Sequence, residues 1–148
     1  FNFLDDGFAR DYDLDDDLEG EIHGIGARVR GFQFYEGGFD PIPPSGRGYG
    51  DQFSKEEARA IWWEMELEHA PVDHERPFSI VTMWWKIGSS AFPTTSTFNS
   101  SIPSNAAVSS HNSGYGWREP GNWEPGLYRV DFRIEGKKVV HAHFTITE

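Results

Sequence analysis

The most regular alternation of apolar and polar residues lies near the C-terminal end of the chain, at residues 127–146. A period of two is typical of a β-strand with one buried and one solvated face. The apolar positions are Tyr128, Val130, Phe132 and Ile134 in a first run and Val140, Ala142, Phe144 and Ile146 in a second. Glu135 and Gly136 separate the runs, and a glycine permits a tight reversal there. The pattern predicts a β-hairpin whose apolar face packs on a second sheet.

Other stretches also have the character of strands. Residues 61–68 alternate strictly, which predicts that Ile61, Trp63, Met65 and Leu67 face the core and that Trp62, Glu64, Glu66 and Glu68 face solvent. Residues 77–88 are apolar on both faces, so we expect a strand that is central in its sheet or covered by a partner. A first strand is expected from Ala27, with a bulge near Gly31. Residues 94–101 and 107–111 are further candidates.

Turn-forming residues separate these stretches at short intervals. Residues 36–54 are dense in glycine and proline and form a candidate binding loop. Trp117 and Trp123 lie in a wide turn, where we expect them to seal the end of the core. The whole pattern predicts an all-β fold, an antiparallel immunoglobulin-like β-sandwich of about seven strands. Tyr128, which follows a Pro-Gly pair, resembles the tyrosine corner of such domains.

Composition adds a strong charge asymmetry to this picture. The chain has 148 residues, enough for one domain, and a formal net charge of −11. Residues 1–24 hold nine acids and one base. We therefore predict an acidic N-terminal tail or linker at 1–24 and a sandwich domain at 25–148. The negative charge argues against a nucleic-acid partner, and no apolar run reaches the ~20 residues that membrane insertion by a helix needs.

The acidic N-terminal segment also carries apolar side chains, which are unusual in a purely solvating tail. They include Phe3, Leu4, Phe8, Tyr12 and Leu14. An acidic segment with interleaved apolar residues can order on contact with another surface, so it is a candidate for docking on a partner protein or an identical subunit. The alternative is a mobile leader. Because the chain opens on Phe1, we expect a processed product or an excised fragment. The sequence does not locate the protein, and between compartments we favour an extracellular or periplasmic location.

Metal binding is an alternative at two places, although no cofactor is predicted. Asp11, Asp13 and Asp15 have the spacing of a calcium loop, but Asp16 replaces the turn glycine and Ile22 the closing glutamate. His141 and His143 share one strand face and could begin a metal site if His69, His74 or His111 came close. The alternative for the aspartates is a solvated acidic leader, and the alternative for the two histidines is the solvent-exposed face of an edge strand. With no cysteine, thiolate sites are excluded.

Evidence for catalysis is sparse, and we predict a protein that is not an enzyme. Ser109, Ser110 and His111 are neighbours in sequence, which does not make a nucleophile and its base, and no GxSxG elbow is present. The glutamates of residues 64–68 could supply paired carboxylates, but evenly spaced acids usually form the solvent face of a strand. The leading hypothesis is a non-enzymatic interaction or assembly module, docking through its N-terminal segment or an edge strand.

The tryptophans support an alternative function in glycan binding. Exposed coplanar aromatic rings stack on sugars, and the candidates are Trp62, Trp85, Trp117 and Trp123. A single exposed tryptophan is uninformative, whereas two or more forming a flat patch would favour a carbohydrate-binding module.

Three segments carry a resemblance to a known family. They read FQFYEGGFDPIPP from residue 32, AIWWEMELEHAP from residue 60, and GYGWREPGNWEPGLYRVDFRIEGKKVVHAHFTI from residue 114. They resemble an uncharacterised bacterial immunoglobulin-like β-sandwich domain family, and the last segment is the most specific. The resemblance implies a fold and no functional site. His141 and His143 depart from the small residues expected at those positions.

Overall fold

The protein is an all-β structure in this computed structural model, which describes residues 26–89 and 93–148 with their side chains and the backbone of residues 12–14 and 21–22. Eleven strands and one short 3-10 turn at Pro44–Gly46 lie in these ranges. The strands are β1 Tyr12–Leu14, β2 Glu21–Ile22, β3 Ala27–Gly37, β4 Tyr49–Gly50, β5 Gln52–Ser54, β6 Ala60–His69, β7 Arg76–Lys86, β8 Thr94–Ile102, β9 Val108–Gly116, β10 Gly126–Ile134 and β11 Lys137–Thr147. Among the described residues, no helix has the length and apolar character needed to cross a membrane.

The strands form two sheets. Sheet I has the order β1-β11-β10-β7-β8, with β5 added parallel to β11. Sheet II has the order β2-β3-β6-β9, with β4 added to β3. Apart from β5, every pairing is antiparallel. The count exceeds the predicted seven or so, although seven of the strands have nine or more residues.

The inner faces of the two sheets meet in one hydrophobic core. Phe132 of sheet I lies 4.8 Å from Phe32 and 5.2 Å from Trp63 of sheet II, measured between ring centroids. Phe34 and Phe144 make a similar contact at 5.1 Å. Ring contacts of this kind across facing sheets fill the space between them. The predicted sandwich-like arrangement is therefore confirmed at the level of two packed sheets.

The local strand predictions agree with the structure where alternation was strong. Ile134 pairs with Lys137 across a two-residue turn, in which Glu135 and Gly136 both have positive φ, at 53° and 79°. Such a turn matches the twist of the hairpin strands. The alternation of β6 is confirmed on its inner face, where Ile61, Trp63, Met65 and Leu67 are buried. The register of β3 shifts between Val29 and Gly31, as predicted.

The expectation that all the acids of β6 face solvent is wrong for Glu64. Only 14% of its side chain is exposed, because Arg47 forms an ion pair with it. The hydroxyl of Tyr49 also donates a hydrogen bond to it, at 2.7 Å. Both residues belong to the Gly/Pro-rich loop, which folds back over the outer face of sheet II.

Strand β7 lies between two other strands of sheet I, which agrees with the first of the two alternatives predicted for residues 77–88. It pairs with β10 on one side and β8 on the other, so its outer apolar residues are flanked by neighbouring strands. Strands β1 and β2 fall within the predicted acidic tail, and their backbones pair with β11 and β3. The division of the chain near residue 24 stays a prediction.

Candidate functional site

One side of the sandwich is bounded by two strands that each lack a neighbour. β8 is the last strand of sheet I and β9 the last of sheet II, and among the described residues neither has a further strand beside it. Residues 103–107 connect them, and a hydrogen bond of 2.6 Å between Ser100 and His111 joins them across the gap between the sheets. We call this side, formed by β8 and β9, the open side.

The open side carries no formal charge. Residues 87–117 contain no Asp, Glu, Lys or Arg, whereas a quarter of the whole chain is charged. The first four residues of β8 are exposed, and serine, threonine and asparagine dominate the strand. Edge strands are normally protected by charged side chains, proline or a covering segment, because their free backbone groups can pair with another chain. Neither β8 nor β9 contains a charge or a proline.

The opposite edges differ, since both are partly occupied. Along β11, β1 pairs with Val140–Ala142 and β5 pairs with Thr145–Thr147. Along β3, β2 pairs near the start of the strand and β4 near its end. Within the part of the chain that the structure describes, the sheet edges are thus partly covered on one side of the sandwich and uncovered on the other.

A chain of four polar side chains lies beneath the open side. The Nε2 atom of His69 is 3.1 Å from the Ser109 hydroxyl, which is 2.7 Å from Nε2 of His111. The Nδ1 atom of His111 meets the Ser100 hydroxyl at 2.6 Å. His69, Ser109 and His111 are all buried, with His111 only 3% exposed. These four residues, the histidine–serine chain, therefore connect β6 and β9 of sheet II to β8 of sheet I.

Burial makes the His111 ring a poor base. Its pKa is lowered from 6.5 to about 4, first by burial and then by the proximity of His69. The ring is therefore neutral at physiological pH. Its two nitrogens both meet serine hydroxyls, so no carboxylate orients it as in a catalytic triad.

Ser109 and His111 thus come closer than the sequence analysis expected. Residues two apart on a strand lie on the same face, and that geometry places the Ser109 hydroxyl on the His111 ring. However, Ser109 is 7% exposed and its hydroxyl is already committed to two rings, while Ser110 points to the other face. The arrangement is a structural hydrogen-bond chain rather than an accessible nucleophile.

A second polar cluster lies on the outer face of sheet II. The Tyr35 ring is fully buried beneath Arg47, whose guanidinium lies 4.7 Å from the ring centroid. Asn112 donates a hydrogen bond of 2.8 Å to the Tyr35 hydroxyl. Burial raises the pKa of Tyr35, and the bond from Asn112 acts in the opposite direction. Arg47 and Tyr49 of the Gly/Pro-rich loop contact Tyr35 and Glu64 of sheet II, so the cluster attaches the loop to the sheet.

The four tryptophans proposed for glycan binding do not form one patch. Trp62 lies on the outer face of sheet II, with its indole N–H bonded to the Gly38 carbonyl at 2.9 Å. Trp85 lies on the outer face of sheet I, 5.8 Å from the Arg129 guanidinium. Trp123 is buried and seals the end of the core, as predicted, while Trp117 is 38% exposed. The rings of these last two are perpendicular.

The candidate metal ligands are likewise dispersed. His141 and His143 lie on the outer face of sheet I with ring centroids 6.1 Å apart. His69 and His111 face the interior, and His74 lies in an exposed loop 2.6 Å from Asp73. Within residues 26–89 and 93–148, no three potential ligands come together. For the calcium alternative, Asp13 lies on β1, while Asp11 and Asp15 lie outside the described residues.

The residues of the proposed docking segment are described only in part. Tyr12 and Leu14 belong to β1, whose backbone pairs with Ala142 and Val140 of β11. Phe3, Leu4 and Phe8 lie outside the described residues. Both strands of the open side are predicted from the sequence, although β9 extends to Gly116 rather than ending near His111. A further signal of the open side in the sequence is the absence of charged residues between residues 87 and 117.

Comparison with known proteins gives a likeness of fold. No family model matches the chain, and no curated protein does. Among solved structures, the alkylpurine DNA glycosylase AlkC of Pseudomonas fluorescens, bound to DNA containing an abasic site analog, matches with 14% identity and a TM-score of 0.51. That match covers 85% of this chain and 32% of the glycosylase.

A β-glucosidase of Listeria innocua in complex with glucose matches less closely. The identity is 12% and the TM-score is 0.48, over 81% of this chain and 16% of the glucosidase. The chain therefore spans about a third or less of the length of these proteins. At such identity, the likeness to the glycosylase bears on the fold alone.

Proposed function

We propose that this chain is an immunoglobulin-like β-sandwich that acts as a non-enzymatic interaction module and binds an extended strand of a partner protein along β8. The observation that carries the proposal is the open side, where two edge strands contain no charged residue and no proline although the protein is strongly acidic.

The order of the long strands supports the immunoglobulin-like assignment. Numbered one to seven in chain order, β3, β6 and β9 are the first, second and fifth strands and form the body of sheet II. The sixth strand, β10, lies between the third and the seventh, as strand F lies between C and G in immunoglobulin domains. The hydroxyl of Tyr128 on this strand donates a hydrogen bond to the Glu124 carbonyl, at 2.7 Å. A bond to the backbone a few residues upstream is what defines a tyrosine corner.

Strand addition suits β8 because the interaction relies on backbone groups. The strand has nine residues, and a partner that pairs along it gains main-chain hydrogen bonds without needing a deep pocket. Outward-facing Thr95, Thr97 and Asn99 present small polar side chains beside that edge. With a net charge of −11, the chain repels an acidic partner and its own second copy at long range, which favours a neutral or basic foreign strand.

A non-enzymatic role fits the polar clusters. The buried serine–histidine contact and the Tyr35 cluster both use their hydrogen-bonding groups internally, so neither presents convergent polar groups to a substrate. The DNA bound by the glycosylase is not expected as a ligand here, because the charge of this chain opposes a phosphate backbone.

Selection of a displayed library of random nine-residue peptides against the full chain tests the proposal. We expect bound peptides to protect the backbone amides of Thr94–Ile102 from hydrogen exchange. The substitution Thr97→Lys places a charge at the edge and should weaken binding at least ~10-fold, or about 1.4 kcal/mol. Thr147→Lys is the matched control, since the backbone of Thr147 already pairs with Ser54 of β5.

Two outcomes would count against this function. Peptides that protect other strands, or that bind Thr97→Lys as well as the parent chain, would remove β8 as the docking edge. A concentration-dependent dimer in sedimentation velocity that Thr97→Lys abolishes would replace the foreign strand with a second copy of this chain.

A further inference from the structure

One buried atom determines how hydrogens are arranged in the histidine–serine chain. The Nδ1 atom of His69 is buried and has no hydrogen-bond partner among the described residues. A buried N–H without an acceptor is rare and costly, so the proton of this ring belongs on Nε2. His69 then donates to Ser109, and Ser109 donates to Nε2 of His111. In the neutral His111 ring the single N–H is therefore on Nδ1, and it donates a hydrogen bond to the Ser100 hydroxyl.

A proton added to His111 contradicts this arrangement. Both ring nitrogens would then donate, so the Ser109 hydrogen would lose its acceptor, and within the four side chains only His69 could replace it. Nε2 of His69 already carries a hydrogen there. Moving that hydrogen to Nδ1 would create the buried, unsatisfied N–H that the neutral chain avoids. Within the four side chains, no set of hydrogen bonds gives every hydrogen of the charged form an acceptor.

The groups packed around His111 do not compensate its charge. β6 contributes His69, β7 contributes the Phe78 ring at 5.1 Å, and β8 contributes the Ser100 hydroxyl. The nearby acids of β6, Glu66 and Glu68, lie on the outer face of sheet II. Among the residues described with side chains, the ring therefore meets no carboxylate, and a buried charge without a counter-ion is strongly unfavourable.

We propose that the histidine–serine chain is a proton-operated latch, which holds β8 against β9 when His111 is neutral and lets the two strands separate when His111 is protonated. The latch regulates the docking of a partner strand, because it controls how rigidly β8 is presented, and this consequence rests on the function proposed above. Acidification therefore loosens the open side before it unfolds the rest of the sandwich.

Hydrogen exchange of the free full chain at pH 7 and pH 5, with rates corrected for intrinsic exchange, tests the latch. We expect the protection of β8 and β9 amides from exchange to fall ~10-fold or more between pH 7 and pH 5. Proton linkage gives a change of this size when the histidine has its ordinary pKa in the opened state. The amides of β10 and β11 should change less. His111→Gln, which cannot titrate, should abolish the difference, and His74→Gln, at an exposed histidine, should preserve it.

A second measurement needs no variant. Long-range proton–nitrogen spectra at pH 7 should show the ring proton of His69 on Nε2 and that of His111 on Nδ1. The opposite tautomers would overturn the latch, as would equal pH responses in all four strands. Neither measurement contains a partner, so failure of peptide docking leaves the latch unaffected, and a failed latch leaves peptide binding at pH 7 unaffected.

Discussion

Acidification should destabilise this protein through His111, because burial lowers the pKa of its ring in the folded state. The folded state holds the pKa of this ring at about 4, while the unfolded chain has the ordinary value near 6.5. Because the folded pKa is depressed, the proton favours the unfolded chain. The stability associated with the neutral ring is complete above pH 6.5 and is lost as the pH falls towards 4. At ~1.4 kcal/mol per pH unit, the loss amounts to ~3 kcal/mol, a large part of the ~5–15 kcal/mol typical of a domain.

Urea unfolding followed by tryptophan fluorescence between pH 7 and pH 4 would measure this loss. The many carboxylates also titrate in that window, so the informative quantity is the difference between the parent chain and His111→Gln. We expect the two pH profiles to diverge below pH 6.5, with the parent losing ~3 kcal/mol more than the variant by pH 4. His74→Gln should follow the parent, since His74 is exposed. Parallel profiles for the parent and His111→Gln would refute the reasoning.

Three further substitutions test the fold. Trp63→Ala should lower the free energy of unfolding by ~3–5 kcal/mol in urea, because the ring is almost fully buried between the sheets, whereas Trp117→Ala should cost clearly less. Tyr128→Phe removes the hydroxyl that donates to the Glu124 carbonyl and should cost ~1 kcal/mol in urea, with an unchanged denaturant slope. An unchanged free energy of unfolding would show that this hydrogen bond does not contribute to stability. Gly116→Ala should lower the stability by ~1–3 kcal/mol, because φ at this residue is 152° and a Cβ would lie 2.5 Å from the carbonyl oxygen of Arg59. An unchanged midpoint temperature of thermal unfolding would contradict this close contact.

Local pattern predicted much of this fold because a strand has a period that is visible in consecutive residues. The inner face of β6 and the hairpin of β10 and β11 follow from alternation alone, and the turn between them follows from Gly136. Pairings between distant segments leave no such trace. The parallel addition of β5 to β11 joins Gln52 to Thr145, and nothing in either short segment indicates the other.

Burial on an outer face was equally hidden in the sequence. Glu64 sits at a solvent-facing position of β6, and its covering by Arg47 depends on how a loop of irregular structure folds back. Part of the histidine–serine chain could be predicted from the sequence. Once residues 108–116 are known to be a strand, Ser109 and His111 must share a face, but the sequence does not show that His69 and Ser100 come to meet them.

The two sides of the sandwich differ in how the described residues protect the edges of the sheets. This chain has the means to protect an edge, since it places short strands along β3 and β11 and has acids and bases available in most other segments. Along β8 and β9 none of these devices is present among the described residues, and buried hydrogen bonds instead tie the two strands together from beneath. Unprotected edges invite pairing with other chains, so edges that are uncovered and also held rigid support the proposed docking of a partner strand.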